Sequence, residues 1–219
     1  MRLQSAIFDM DGTLLDSMHI WDDIGPNLLR AQGVEPEEGL HEKLKVMTLQ
    51  ESAQYCKDTY GLPQTVEELM DMTKDLVRHF YHNEVQAKPG VKKFLSLLKM
   101  EGVWMYVATN TDRDLVEAAL KHAGIDSYFR GILTCGEVGV GKNESPEIYE
   151  RAMRRLRGNK KDTVIFEDAL HAIETAKEAG FRVCAIYDKA FEAEQEEIQR
   201  ISDYYIRSFE EMFETTTLE

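Results

Sequence analysis

The stretch SAIFDMDGT at residues 5–13 decides the fold of this chain. Its first four residues form a short apolar run, which is typical of a buried strand. Asp9 and Asp11 follow that run directly, and Gly12 permits a tight turn of the backbone. Ligands bind beyond the carboxyl ends of the strands in open α/β sheets. The stretch therefore predicts a functional site at Asp9 and Asp11.

The two carboxylates suit the chemistry of group transfer. A carboxylate can act as a nucleophile and accept a phosphoryl group. A second carboxylate beside it can carry a proton to the leaving oxygen. The alternative is structural, an acidic loop that caps the following helix. The D-x-D-G-T pattern directly after a strand favours the catalytic interpretation.

Short apolar runs alternate with helical patterns along most of the chain. The predicted strands cover residues 5–8, 103–108, 131–134, 163–166, 182–186 and 203–206, the last as an edge strand. The predicted helices between them cover residues 91–100, 112–123, 145–156 and 169–179. Near-continuous apolar strands separated by helices are typical of a parallel sheet covered on both faces. The sequence therefore predicts an α/β fold.

One segment, residues 17–85, interrupts this alternation because it contains no convincing strand. Its predicted helices cover residues 18–32, 39–46, 49–60 and 66–82. We therefore predict an all-helical cap domain that is inserted after the first strand. The predicted division of the chain is a catalytic core of residues 1–16 and 86–214, a helical cap of residues 17–85 and a tail of residues 215–219.

Two further positions suit a phosphorylated ligand. Thr109 ends the second predicted core strand, and with Asn110 and the start of the next helix it offers donors to a phosphoryl oxygen. Lys142 follows a glycine-rich loop and could neutralise a phosphate or a carboxylate. The structural alternatives are a common turn and helix cap at Thr109 and Asn110, and a solvated loop lysine at Lys142.

A second pair of acidic residues, Glu167 and Asp168, ends the predicted strand at residues 163–166. With Asp9 and the backbone of Asp11, these carboxylates could hold a hard cation such as Mg²⁺ through oxygen atoms. The structural alternative is that Asp168 only caps the following helix.

The charge balance limits the classes of partner. The chain has 219 residues with 26 basic and 40 acidic side chains, which gives a net charge of −14. Nucleic-acid backbones and anionic membranes attract positive surfaces, so neither is expected as a partner. A small phosphorylated metabolite stays open as a substrate, because a bound cation can reverse the local electrostatics. We expect a monomer or a weak homo-oligomer.

The predicted compartment is the cytoplasm. Cys56, Cys135 and Cys184 are scattered and have neither CxxC nor metal-ligand spacing, which favours reduced thiols. No apolar run approaches the roughly 18 residues of a membrane span. The N-terminus enters a strand-like run at once, without the apolar region of a signal peptide.

As an ordered set, these motifs resemble the haloacid dehalogenase (HAD) superfamily of phosphohydrolases, in the branch that includes β-phosphoglucomutase and phosphoglycolate phosphatase. The matching stretches are DMDGTLLDS at residues 9–17, KPGV at 88–91, Thr109-Asn110, Lys142, FED at 166–168, and Ala176 with Ala179-Gly180. The resemblance implies a Rossmann-like core with a helical cap. It also implies a Mg²⁺-dependent phosphatase that hydrolyses a small phosphorylated metabolite through an aspartyl-phosphate.

The resemblance implies a role for each matching residue. Asp9 is the nucleophile, and Asp11 is the general acid and base. Thr109 and Lys142 hold the phosphoryl oxygens, and Lys142 also orients Asp9.

The same resemblance implies the ligands of the metal. Asp168 binds Mg²⁺ together with Asp9 and the carbonyl of Asp11. Glu167 either binds the ion directly or lies just outside its ligands.

The chain departs from the family in two places that bear on substrate. His171 stands directly before the position where the pattern E-D-S-x-x-G has a glycine, and it either narrows the pocket or is a tolerated residue at a helix start. β-Phosphoglucomutase has a histidine at the position of Trp21 and an arginine in a cap loop, but the comparable stretch at residues 46–52 contains no arginine. A mutase must hold a second phosphate, so these differences favour a phosphatase over the mutase alternative.

Three other classes are less consistent with the sequence. GEVGVGK at residues 136–142 fits a P-loop kinase or NTPase, but Asn143 stands where a serine or threonine should meet Mg²⁺. That interpretation also leaves Asp9 and Asp11 unexplained. A catalytically silent binding protein with the HAD fold would not need the intact acidic motifs. A dehalogenase does not use the second carboxylate, and Asp11 is present.

Overall fold

The computed structural model describes residues 3–44 and 47–214 of the chain. The described strands are β1 (Ser5–Phe8), β2 (Leu15–Asp16), β3 (Gln86–Ala87), β4 (Trp104–Thr109), β5 (Ile132–Thr134), β6 (Thr163–Glu167), β7 (Arg182–Ile186) and β8 (Tyr204–Ile206). Six of these strands form one parallel sheet with the order β5-β4-β1-β6-β7-β8. The predicted edge strand, β8, lies at an edge of this sheet.

The helices lie between the strands and in the segment between β2 and β3. They are α1 (His19–Ala31), α2 (Leu40–Leu44), α3 (Leu49–Tyr60), α4 (Val66–Asn83), α5 (Val91–Met100), α6 (Arg113–His122), α7 (Cys135–Val138), α8 (Glu147–Arg155), α9 (Leu170–Glu178), α10 (Gln195–Ile201) and α11 (Glu211–Glu214). Across the described part of the chain, these helices are too short or too polar to cross a bilayer.

Strand β1 lies at the centre of the sheet, between β4 and β6. Its residue Ile7 is paired with Tyr106 of β4 on one side and with Ile165 of β6 on the other. All four residues of β1 are buried, as expected for a strand whose two faces are both covered. The strands run in one direction, so the carboxyl ends of β1, β4 and β6 lie at one edge of the sheet. The predicted α/β fold with a parallel, Rossmann-like sheet is confirmed.

Helix α8 closes part of one face of the sheet. It packs against β1, β4 and β5. Ile148, Tyr149 and Ala152 form its buried side, and they join the core cluster that contains Ile7 and Ile165. Their spacing is that of one helical face, because residues three or four positions apart lie above one another. This packing brings Tyr149 into the interior of the core.

The chain divides into two compact units. One contains residues 3–16 and 85–214, and the other contains residues 17–84 apart from 45 and 46. The first unit carries the parallel sheet, and the chain leaves and re-enters it at β2 and β3. These two short strands pair antiparallel, with Leu15 opposite Ala87.

The second unit is all-helical in its described residues and has its own core. Thr48 and Glu51 form a capping box at the start of α3, and Thr65 and Glu68 form another at the start of α4. The predicted bounds of α3 agree with the structure. The predicted helix at residues 39–46 is seen as α2, Leu40–Leu44, and its last two residues lie outside the described part of the chain.

Several elements are absent from the sequence-based prediction. The pair β2 and β3 was missed because two-residue strands carry no periodic pattern. The helices α7, α10 and α11 were missed too, and two of them have only four residues. The predicted tail at residues 215–219 lies outside the described residues.

Candidate active site

The end of β1 positions Asp9 and Asp11. The backbone N–H of Asp9 donates to the carbonyl of Phe166 on β6 at 2.9 Å, which continues the pairing of the strands. Gly12 then adopts a φ of +78°, a conformation that favours glycine and turns the chain sharply. As a result Asp9 is buried, whereas Asp11 is half-buried.

Lys142 reaches the same place from the loop before α8. Its ammonium forms an ion pair with Asp9 and a second one, at 2.8 Å, with Oε1 of Glu167. The side chain is only 2% exposed, so these contacts are shielded from water. Burial alone would lower the pKa of Lys142, but the charges of Asp9 and Glu167 raise it well above its ordinary value. Lys142 therefore stays charged, and the structural alternative of a solvated loop lysine does not hold.

Glu167 is the last residue of β6, and both of its carboxylate oxygens accept hydrogen bonds. Oε1 accepts from Lys142 Nζ at 2.8 Å and from the hydroxyl of Tyr149 at 3.1 Å. Oε2 accepts from the backbone N–H of Asp168 at 3.0 Å. These donors fix the orientation of the carboxylate.

Asp168 follows Glu167 and is tied to the loop after β1. Its Oδ1 accepts a hydrogen bond from the hydroxyl of Thr13 at 2.8 Å. Its Oδ2 is buried and has no hydrogen-bond partner among the described residues. Burial raises the pKa of Asp168 well above its ordinary value, and the charges of Glu167 and Asp9 raise it further. A buried carboxylate oxygen without a donor is costly unless a cation meets it.

The three buried carboxylates fit a divalent cation. One oxygen from each of Asp9, Glu167 and Asp168 lies within 4.8 Å of the others. If all three carboxylates lose their protons to a cation, they and the ammonium of Lys142 leave an excess of two negative charges. Burial raises the pKa of Asp9 to about 8, and the charge of Glu167 adds to the increase. All the atoms that these carboxylates offer to a metal are oxygen atoms, which are the ligands that Mg²⁺ prefers.

The carboxyl end of β4 contributes Thr109 and the residues after it. Thr109 is buried, and its hydroxyl accepts from the backbone N–H of Thr111 at 3.2 Å. The hydroxyl of Thr111 donates to Oδ2 of Asp11 at 2.6 Å. Asn110 is exposed, so it does not join the buried cluster. The structure thus connects the ends of β1 and β4 through Thr111 and Asp11.

Sequence reasoning assigned no role to three residues that contact the site. Thr13 and Thr111 lie inside or beside the motifs, and a hydroxyl next to a catalytic carboxylate is a signal that could have been used. Tyr149 gave no such signal, because its position on α8 predicts only a core residue. His171, which was considered as a substrate contact, is exposed at the start of α9.

The chain is similar to known hydrolases. The family of haloacid dehalogenase-like hydrolases matches residues 6–186. A phosphorylated carbohydrates phosphatase of Thermotoga maritima is 24% identical over 178 residues, which are 81% of this chain and 82% of that protein. A bifunctional riboflavin kinase/FMN phosphatase of Arabidopsis thaliana is 29% identical over 189 residues, which are 84% of this chain and 49% of that protein.

A solved structure shows the same fold over nearly the whole length. It is a candidate beta-phosphoglucomutase from Thermotoga maritima, with a TM-score of 0.83, 22% identity and 97% of each chain covered. The family match runs from β1 to β7 and includes the carboxyl ends of β1, β4 and β6. The chain therefore belongs to the haloacid dehalogenase-like hydrolases, and its predicted class of phosphoric monoester hydrolase is confirmed.

Proposed function

We propose that this chain is a Mg²⁺-dependent phosphatase that hydrolyses a small phosphorylated metabolite through an aspartyl-phosphate on Asp9. In the first step an Asp9 oxygen bonds to phosphorus while the bond from phosphorus to the ester oxygen breaks. Asp11 gives a proton to that leaving oxygen. In the second step Asp11 takes a proton from water, the water oxygen bonds to phosphorus, and the bond to Asp9 breaks to release inorganic phosphate.

The proposed role of Lys142 is electrostatic. An anionic nucleophile and an anionic phosphate ester repel each other, and a fixed positive charge reduces that repulsion most strongly in a buried site. The contact between Lys142 and Asp9 supports this role, because it also holds the nucleophile in place. We assign the hydroxyl of Thr109 to the phosphoryl oxygens as well, with Asn110 as a further donor from the adjoining loop.

Asp9, Asp168 and the carbonyl of Asp11 are the proposed ligands of Mg²⁺, with Glu167 beside them. When bound, the cation would neutralise charge on the phosphoryl group and on the carboxylates. The unpartnered Oδ2 of Asp168 supports this assignment, because a direct protein donor is missing at a buried carboxylate. The unpartnered Oδ2 of Asp168 is the main observation that supports the proposed function. The ion pair between Asp9 and Lys142 supports it as well.

For the substrate class we propose sugar and organic-acid monophosphates. One similar protein is named a phosphorylated carbohydrates phosphatase, and the other a bifunctional riboflavin kinase/FMN phosphatase. Both names refer to phosphorylated metabolites as substrates. The β-phosphoglucomutase alternative is disfavoured by the sequence at residues 46–52, which offers no arginine for a second phosphate. We also propose a cytoplasmic location, which is supported by three free thiols at Cys56, Cys135 and Cys184.

A screen of phosphorylated metabolites tests this proposal. Purified protein is incubated with each compound in the presence of Mg²⁺, and released phosphate is measured. The expected result is release from several monophosphates and loss of release when EDTA removes the metal. Full activity in EDTA, or no release from any monophosphate, would contradict the proposed function.

A further inference from the structure

We infer that Tyr149 is a positioning residue of this reaction: its hydroxyl holds Glu167, and Glu167 holds Lys142 against the nucleophile Asp9. The inference rests on the proposed function, because it gives Tyr149 a task at the proposed site. It differs from that function in concerning a core residue of α8 that the motifs do not include.

The position of Tyr149 is fixed by packing. The side chain is fully buried, and its ring lies edge-on to that of Phe181 with centroids 6.3 Å apart. It belongs to the same core cluster as Ile148 and Ile165. Because the ring is packed on several sides, its hydroxyl is held at one place. The hydrogen bond to Glu167 therefore costs little additional conformational entropy.

Tyr149 contacts the ion pair in two ways. Its hydroxyl and the ammonium of Lys142 both donate to Oε1 of Glu167, at 3.1 Å and 2.8 Å. Its ring also faces Lys142, with Nζ 5.8 Å from the centroid, which favours a cation at that place. Burial raises the pKa of the Tyr149 hydroxyl well above its ordinary value, and the charge of Glu167 raises it further.

The shared oxygen explains why the hydroxyl matters for Lys142. The hydroxyl of Tyr149 and the ammonium of Lys142 share the negative charge of Oε1. The ammonium can therefore stay between Glu167 and Asp9. Without the hydroxyl, the uncompensated charge on Oε1 attracts Lys142 more strongly, and the ammonium moves away from Asp9. Misplacement of a catalytic group by about 1 Å can cost on the order of 100-fold in rate.

The test compares Tyr149→Phe with Tyr106→Phe. Both tyrosines are buried in the same core cluster, but the hydroxyl of Tyr106 lies against Gly131. With p-nitrophenyl phosphate and saturating Mg²⁺, we expect Tyr149→Phe to lower kcat by about tenfold or more while KM stays within about twofold. Tyr106→Phe should keep kcat within about twofold, because it removes a hydroxyl away from the site. A merely structural role of the Tyr149 hydroxyl would lower the amount of folded Tyr149→Phe and leave kcat per folded molecule unchanged.

A stability cycle without substrate separates this inference from the proposed function. Urea unfolding is measured for the wild type, Tyr149→Phe, Glu167→Gln and the double variant. A direct contact predicts that Tyr149→Phe raises the unfolding equilibrium constant by about fivefold in the wild type and less in Glu167→Gln. Equal effects in both backgrounds would overturn the inference, as would a kcat of Tyr149→Phe within about twofold of wild type. If the wild type hydrolyses no ester, the proposed function fails. The stability cycle then still shows whether Tyr149 and Glu167 interact directly.

Discussion

The hydroxyl of Thr13 donates a hydrogen bond to Oδ1 of Asp168 at 2.8 Å, although 155 positions separate the two residues in the chain. Thr13 belongs to the turn after β1, and Asp168 follows β6. The bond satisfies one oxygen of the carboxylate, and no described residue donates to the other, Oδ2. Oδ2 is therefore the oxygen that is left to meet the proposed cation.

Replacing Thr13 should weaken metal binding. Thr13→Val keeps the shape of the side chain but removes the donor that orients Asp168. We expect the Mg²⁺ concentration for half-maximal activity to rise about tenfold, as for other partners of metal ligands. The matched control is Thr163→Val, since Thr163 begins β6 and its hydroxyl contacts Ser5 at the opposite end of the strand. An equal loss of metal affinity in both variants would contradict this role for Thr13.

Asp9→Asn should abolish turnover while the fold is kept. An amide is a poor nucleophile and carries no charge, so the loss should reach several orders of magnitude. The assay is phosphate release at saturating Mg²⁺, with circular dichroism to confirm folding. Asp114→Asn serves as a control, because this carboxylate is exposed in the first turn of α6. Substantial Mg²⁺-dependent activity in folded Asp9→Asn would exclude Asp9 as the nucleophile.

The metal-free protein should lose stability as the pH rises from about 4 to about 8. Burial raises the pKa of Asp9 from 3.8 to about 8, with a further increase from Glu167. Between these values the native state binds more protons than the unfolded state, so the free energy of unfolding falls with pH. Mg²⁺ should reverse the loss and stabilise the protein more at pH 8 than at pH 6, because the ionised carboxylates bind it.

Urea unfolding of the wild type and Asp9→Asn across this pH range measures the effect. Both proteins have the same other titrating groups, so the difference between their curves reports the titration of Asp9 together with the effect of its charge on Asp168. A wild-type curve that falls no more steeply than that of Asp9→Asn would contradict the prediction.

Phosphatase and mutase activities can be separated in one assay. Residues 46–52 offer no arginine to hold a second phosphate, and Trp21 on α1 stands in place of a histidine. We therefore expect β-glucose 1-phosphate, supplied with catalytic glucose bisphosphate, to yield free phosphate and little glucose 6-phosphate. Faster formation of glucose 6-phosphate than of phosphate would show that another cation, such as Lys43 or Lys74, holds the second phosphate. Lys45, which is a third such cation, lies outside the described residues.

Much of the sheet could be predicted because its signal is local. The apolar run of β1 and the acidic pair after it indicate both a buried strand and a site at its end, and the structure agrees on the strand. The same reasoning brought together Asp9 and Asp168, since the carboxyl ends of parallel strands share an edge. The contact of Lys142 with Asp9 was expected only from the family resemblance.

The remaining features could not be predicted because they depend on contacts between residues far apart in the sequence, and local sequence patterns do not reveal such contacts. Helical spacing indicates that Tyr149 is buried, but it does not indicate that Glu167 lies beside its hydroxyl. The pairing of β2 and β3 joins residues about 70 positions apart and has no periodicity of its own. The exposure of Asn110 beside the buried Thr109 also has no local signal in the sequence.

The central position of β1 also has a consequence for the order of folding. This strand is synthesised first, but its two neighbours, β4 and β6, begin only at Trp104 and Thr163. Closing such long loops is entropically costly, so the sheet must assemble late relative to the local contacts of α3 and α4. On the ribosome, a nascent chain that ends before Thr163 lacks one wall of the site. Catalytic competence should therefore arise only once β6 has emerged and joined the sheet.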